Sequence, residues 1–176
     1  AVARVLFIML FLSKREGFRD FLVGTENSSN YGNVVWDGRE INHQYGKTSK
    51  FIDEFNEYIH SFFSEQLRYY STLEHLFEYK IMKYFKNLDE KFHEECISCN
   101  MIQGQGGKAD KKWCGECPKC AFTYALYRSV FTREKTDRIF GTSMFDDLEL
   151  FLPLMTVEDN VKPFECVGEK KEMWLA

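Results

Sequence analysis

Apolar and polar positions divide the chain into a series of short elements. Residues 1–12 form an apolar run interrupted only by Arg4 and read as a buried helix. The run is too short to span a bilayer. It also lacks the basic leader region and small-residue cleavage site of a secretory signal. Residues 18–23 read as a strand ending at Gly24. Residues 24–49 are rich in Asn, Ser and Gly, and the stretch is longer than a structureless loop usually is, so it is expected to be functional or to contain short strands. Val34, Val35 and Trp36 before Asp37-Gly38 predict half of a hairpin, because Asp-Gly accommodates the turn that joins twisted strands.

Helical spacing resumes at Ser49, which is placed to cap a helix to about Leu67 with Phe51, Phe55, Ile59 and Phe62 on its buried face. Residues 69–71 suggest another strand. Thr72 is placed to cap a helix through Phe85, with Leu73, Leu76, Phe77, Ile81 and Tyr84 inward. Residues 121–131 and 145–155 predict two more helices, and 169–176 reads as a helix cut short. Strands alternating with helices favour an α/β layer.

Composition narrows this picture. With 176 residues, 44% hydrophobic and 16% aromatic, the chain can bury a core as one domain. It divides by pattern into an α/β part over 1–90, a cysteine-rich segment over 91–122 and a helical part over 123–176. A net charge of -4 with no basic stripe argues against DNA as the partner.

The cysteines carry the first chemistry. Five of the six fall between residues 96 and 120, without a secretory signal, which points to metal or redox chemistry in the cytoplasm rather than to a disulfide framework. Cys99, Cys114, Cys117 and Cys120 have metal-ligand spacing, and Zn2+ takes four thiolates at tetrahedral corners. Gly104, Gly106 and Gly107 let the chain return from Cys99, Gly115 permits a tight turn, and Pro118 stiffens the helix that follows. An iron–sulfur cluster shares the Cys-x-x-Cys-x-x-Cys run, and buried free thiols are a further alternative. Cys96 is either a spare thiol or an alternative ligand.

Two polar stretches carry the second. Glu26, Asn27, Ser28 and Asn30 directly follow the first strand, where α/β sheets bind ligands. Glu26 could hold Mg2+ or a ribose hydroxyl; a solvated loop is the plainer alternative. Asn42, His43, Gln44 and Lys47 form the second stretch, with His43 a candidate proton acceptor and Lys47 a candidate phosphate contact. Cys166, alone outside the cysteine cluster, is a candidate thiol base, with a packed core thiol as the alternative.

Taken in order, Gly24 to Asn30, Asn42-His43-Gln44, the run Trp113-Cys114-Gly115-Glu116-Cys117-Pro118-Lys119-Cys120-Ala121-Phe122 and the run Lys162-Pro163-Phe164-Glu165-Cys166-Val167-Gly168 resemble the bacterial UDP-N-acetylmuramoyl-L-alanyl-L-glutamate epimerases. The cysteine run is also similar to that of 7-cyano-7-deazaguanine synthases, ATP pyrophosphatases with a structural zinc. The resemblance implies a nucleotide alpha-hydrolase-like (PP-loop) α/β fold with a parallel sheet, using ATP, Mg2+ and a structural Zn2+. It implies inversion of the terminal L-glutamate of a UDP-linked muramoyl dipeptide in peptidoglycan precursor synthesis, through an acyl adenylate with release of AMP and pyrophosphate, and with no membrane partner. Such enzymes carry a Ser-Gly-Gly-x-Asp-Ser phosphate loop, and none occurs here. The expectation is therefore the C-terminal part of a longer epimerase, inactive alone. Other readings are a 7-cyano-7-deazaguanine synthase-like or tRNA-modifying ATP pyrophosphatase, and a non-catalytic zinc-stapled binding module.

Overall fold

The computed structural model describes residues 2–103, 111–155 and 167–176. The N-terminal part is a parallel strand pair with helices against it. Helix α1 (Val2–Glu16) leads to strand β1 (Asp20–Val23). Strands β2 (Val34–Trp36) and β3 (Arg39–Ile41) form an antiparallel hairpin, then come helix α2 (Ser49–Phe62) and strand β4 (Arg68–Ser71). β1 and β4 pair in parallel from Asp20 opposite Arg68 to Val23 opposite Ser71, and α2 is the crossover between them. The hairpin follows from Asp37 (φ 49°) and Gly38 (φ 69°), both in the left-handed region that a two-residue turn needs.

One apolar cluster holds these elements. Leu6 and Leu10 of α1 meet Phe21, Ile52, Phe55, Ile59, Leu67 and Tyr69. Phe55 stacks on Phe51 and meets Tyr69 edge to face at 5.5 Å. Several expectations shift here. The cap of α2 is Thr48, whose Oγ1 accepts the Phe51 N–H at 3.0 Å; Ser49 is already helical. The buried face includes Ile52, and Phe62 is exposed because the helix stops there, short of Leu67. α1 is helical as expected but buries only one stripe: Val5, Ile8 and Phe11 face solvent. Among the described residues no helix is long and apolar enough to cross a membrane.

The C-terminal part is helical. Helix α3 (Glu78–Phe85) is followed by α4 (Glu90–Glu95), α5 (Asn100–Gln103), α6 (Pro118–Arg128), α7 (Arg133–Phe140), α8 (Leu152–Met155) and α9 (Lys170–Leu175). α3 begins at Glu78 behind a cap at Phe77, five residues later than a cap at Thr72 suggested. Residues 72–77 form a bend and a turn instead, with Ser71 Oγ accepting the Leu73 N–H, Leu73 C=O accepting the Leu76 N–H and Leu76 C=O accepting the Asn27 N–H. Residues 145–155 do not make one helix: two 3-10 turns, Met144–Asp146 and Leu148–Phe151, precede the single turn of α8.

Helix α6 is the axis of this half. Every residue from Lys119 to Tyr127 is buried, so the helix shows almost no amphipathic pattern. Around it pack Met82, Trp113, Phe140, Met144, Phe151, Leu154, Val167 and Met173, together with three of the cysteines. Trp113 stacks on Phe140 at 4.3 Å, and Tyr124 and Tyr127 meet the same ring edge on.

Candidate functional site

The four cysteines converge as their spacing predicts. The Sγ atoms of Cys99, Cys114, Cys117 and Cys120 all lie within 4.8 Å of one another, and those of Cys114 and Cys120 are 3.6 Å apart. Four thiolates around one Zn2+ would sit about 3.8 Å apart, the edge of a tetrahedron with a bond of about 2.3 Å. Gly115 turns the chain at φ +76°, and Pro118 occupies the first turn of α6. Cys117 caps α6, its Sγ accepting the Cys120 N–H at 3.4 Å. Gly104, Gly106 and Gly107 lie outside the described residues.

Burial pushes the Cys120 and Cys114 thiols above their ordinary range. Cys99 is pushed up by burial as well, yet hydrogen bonds from the backbone of Cys114 and Ile102 and from neighbouring thiols outweigh it and leave it low. A buried set of this kind becomes four thiolates only against a compensating cation, and soft sulfur donors suit Zn2+. Cys96 does not join the group. It ends α4, half-buried, on a different cavity.

The two polar stretches also come together. The 3-10 turn Asn27–Asn30 packs on the 3-10 turn Tyr45–Lys47, beyond the C-terminal end of β1. Much of their polarity serves this contact. Asn42 Nδ2 donates to Ser29 C=O at 2.8 Å while Asn42 Oδ1 accepts the Gln44 N–H at 2.8 Å, so both ends of that amide are engaged. Ser29 Oγ reaches Lys47 C=O at 3.0 Å. Asn30 Oδ1 accepts the Ser49 N–H at 2.7 Å, and Lys47 Nζ donates to Gln44 Oε1 at 3.1 Å. His43 Nδ1 pairs with Asn33 Oδ1 on an exposed ring. Ser28 is buried, and its Oγ donates to Glu26 Oε1 at 3.3 Å. The backbone N–H of Asn27 donates to Leu76 C=O. Cys166, with the rest of its motif from Lys162 to Glu165, lies outside the described residues.

A third group was not visible in the sequence. Glu78 opens α3, beyond the C-terminal end of β4 as Glu26 lies beyond that of β1. Lys119 of α6, 8% exposed, places Nζ 3.4 Å from Glu78 Oε1. Glu172 of α9, 1% exposed, accepts the backbone N–H groups of Tyr79 and Glu169. Burial pushes the Glu78 carboxyl up to about 7; Lys119 opposes this, and the Glu26 and Glu172 carboxylates add to it. Burial also raises Glu172, against the pull of its backbone donors. Lys119 sits inside the cysteine motif, which drew attention to its neighbours, and its partner is 41 residues away in sequence.

Gly168 is wedged between these carboxyls. A Cβ there would meet Glu172 Oε2 and Phe122 Cζ at 2.4 Å and Glu78 Oε2 at 2.8 Å. Phe122 is fully buried and cannot move aside freely. Gly168→Ala is expected to cost about 1–3 kcal/mol by overpacking. Urea unfolding of the metal-loaded chain checks this, and an unchanged midpoint would count against the wedge.

Family models described as the MurL N-terminal domain and the MurL C-terminal domain match residues 2–72 and 95–176. The chain belongs to the MurL family. Three proteins named UDP-N-acetyl-alpha-D-muramoyl-L-alanyl-L-glutamate epimerase are similar to it. The one from Xanthomonas oryzae pv. oryzae is 31% identical over 94% of the chain, and the one from Salinispora tropica 31% over 96%. The Micromonospora sp. protein is 33% identical over 88%. The chain spans 35–37% of the length of these MurL relatives. No solved structure matches it significantly. The mixed α/β architecture, the small parallel sheet and the four-cysteine group agree with the sequence reading.

Proposed function

We propose that this chain is part of an epimerase that inverts the terminal L-glutamate of UDP-N-acetylmuramoyl-L-alanyl-L-glutamate during peptidoglycan precursor synthesis in the cytoplasm. The observation that carries this reading is the alignment of 88–96% of the chain with MurL relatives bearing that name. The reaction is ATP-dependent in this proposal. The Cα proton beside a free carboxylate is hard to remove, because the enolate would gather a second negative charge. The carboxylate attacks the α-phosphorus of ATP and pyrophosphate leaves, and the resulting acyl adenylate is ester-like, which lowers that barrier. A base then takes the Cα proton, a proton returns on the opposite face, and water releases AMP.

Within the chain, the turns bearing Glu26 and Lys47 are proposed to line the substrate and nucleotide side. Asn42, Gln44 and Asn30 fix those turns through the bonds described, and Asn27 and Ser28 shape the edge beside Glu26. Glu26 is the proposed Mg2+ or ribose contact, and Lys47 the phosphate contact. His43 and Cys166 are the proposed proton carriers. Cys99, Cys114, Cys117 and Cys120 would hold Zn2+, which supplies structural closure rather than an open catalytic position. A single ion accounts for sulfurs this close together, whereas an iron–sulfur cluster spreads its thiolates over separate irons.

The test uses a protein of the relatives' full length that contains these residues. Incubated with the precursor, ATP and Mg2+, it should yield D-glutamate after acid hydrolysis, with one AMP and one pyrophosphate per first turnover. A protein that binds the precursor but forms neither D-glutamate nor AMP would overturn the proposal.

A further inference from the structure

The unbroken apolar run from Val5 to Leu12 covers every side of two turns of α1. A helix that is apolar all round is a buried helix, yet of this run only Leu6 and Leu10 are buried. Phe7 and Phe11, one turn apart and so on one face, are exposed, Phe11 at 73%. Phe7 meets Tyr58 of α2 edge to face at 5.9 Å, and Tyr58 in turn meets Phe62 at 5.0 Å and Phe63 at 5.8 Å. A chain of aromatic rings therefore runs from α1 to the end of α2, and Phe62 is 72% exposed. Phe63 also lines a cavity of about 410 Å³, together with the cationic side chains Lys14 and Arg19. Neither cation forms an ion pair among the described residues.

The geometry points to this face of α1 and α2 as the docking surface for an amphipathic helix contributed by the rest of the same polypeptide in the full-length protein. Its apolar residues cover the aromatic rings, and an acidic residue meets Lys14 and Arg19. The length of the MurL relatives identifies the source of that helix. This chain spans 35–37% of them, so close to two thirds of each polypeptide is further chain that must pack somewhere. The inference rests on that length and not on the epimerase reaction. Shape and charge identify the chemistry. Single apolar side chains are ordinary on a soluble surface, but a contiguous aromatic one marks a contact. The rings stand edge to face or tilted beside a concave cavity, so the surface has relief that accepts side chains at helical spacing. A lipid surface needs no such relief. A second copy of this face would bring Lys14 and Arg19 against the same cations, since a two-fold contact pairs a patch with itself. An acidic helix neutralises them.

Photo-cross-linking of a protein of the relatives' full length, with benzoylphenylalanine in place of Phe11 or Phe62, tests this. Both positions are exposed, so the probe does not disturb the core. Irradiation should give a product at monomer mass, joined to a peptide outside these 176 residues that has apolar residues at helical spacing and an acidic residue beside them. Reversing both cations, Lys14→Glu with Arg19→Glu, should lower the yield of that product. Undiminished yield in the reversed protein overturns the acidic helix. A product at twice the monomer mass gives the face to a second copy and overturns the inference. Binding of phosphatidylserine-containing vesicles that Phe11→Glu with Phe62→Glu abolishes gives it to a lipid surface and does the same. Absence of any cross-link from either position leaves the face bare and overturns it too. D-glutamate formation by the same sample reads the epimerase proposal separately, and its absence leaves a cross-link at monomer mass standing.

Discussion

Stripping the proposed zinc from the purified chain, or replacing Cys120 by Ser, is expected to unfold the C-terminal half while the parallel strand pair survives longer. The four cysteines are not appended to the core: Cys99, Cys117 and Cys120 belong to the same buried cluster as Phe122, Tyr124, Tyr127 and Phe140. Without a cation, burial favours thiols, and four thiols have no reason to stay within 4.8 Å of one another. Structural zinc contributes about 10–16 kcal/mol in small domains, whereas whole domains are stable by about 5–15 kcal/mol. The loss therefore exceeds what α6 and its neighbours can absorb. Trp113, stacked on Phe140 and 2% exposed, reports it by fluorescence. The cluster around Ile59 and Tyr69 contains no cysteine. Hydrogen exchange should thus lose protection in α6 first and in β4 later. Chelation that left Trp113 emission and α6 protection unchanged would contradict the staple.

Glu78 should give the metal-loaded chain an unusual loss of stability as pH rises. Its folded value is about 7 against an ordinary 4.5, so the folded state holds its proton more tightly than the unfolded chain does. The resulting stabilisation is complete below about pH 4.5 and is lost as pH climbs through 7. The full span corresponds to about 3 kcal/mol. Urea unfolding between pH 5.5 and 8 with excess zinc reads the part of this that falls where the thiolates stay metal-bound. Glu78→Gln removes the titrating group, so its stability should fall less over that range. Parallel pH profiles for the two proteins would place the raised carboxyl elsewhere.

The features legible in the sequence are those set by neighbours along the chain. The cysteine spacing located the four-cysteine group, the Asp37-Gly38 pair located the hairpin, and the recurrence of Phe51, Phe55 and Ile59 located α2. Helix α7 was missed because it is mostly charged and buries only Thr136 and Phe140. Residues 72–77 read as helix by apolar spacing, yet the local bonds Leu73 N–H to Ser71 Oγ and Leu76 N–H to Leu73 C=O close a turn there, and Asn27 N–H holds it through Leu76 C=O. The polar stretches were legible as candidate contacts, but the sequence could not show that they pack together or that Asn42 and Asn30 spend their amides on the scaffold. The Glu78–Lys119 pair was invisible for a different reason. Its partners come from separate helices, and only the stacking of α3, α6 and α9 joins them.

The most direct test of the proposed metal centre at the four cysteines is zinc X-ray absorption on the purified chain, with elemental analysis of the same sample. The account predicts one zinc per chain and four sulfur neighbours at about 2.3 Å, with no iron. Iron in the sample, or zinc with nitrogen or oxygen in place of two or more of the sulfurs, would contradict it.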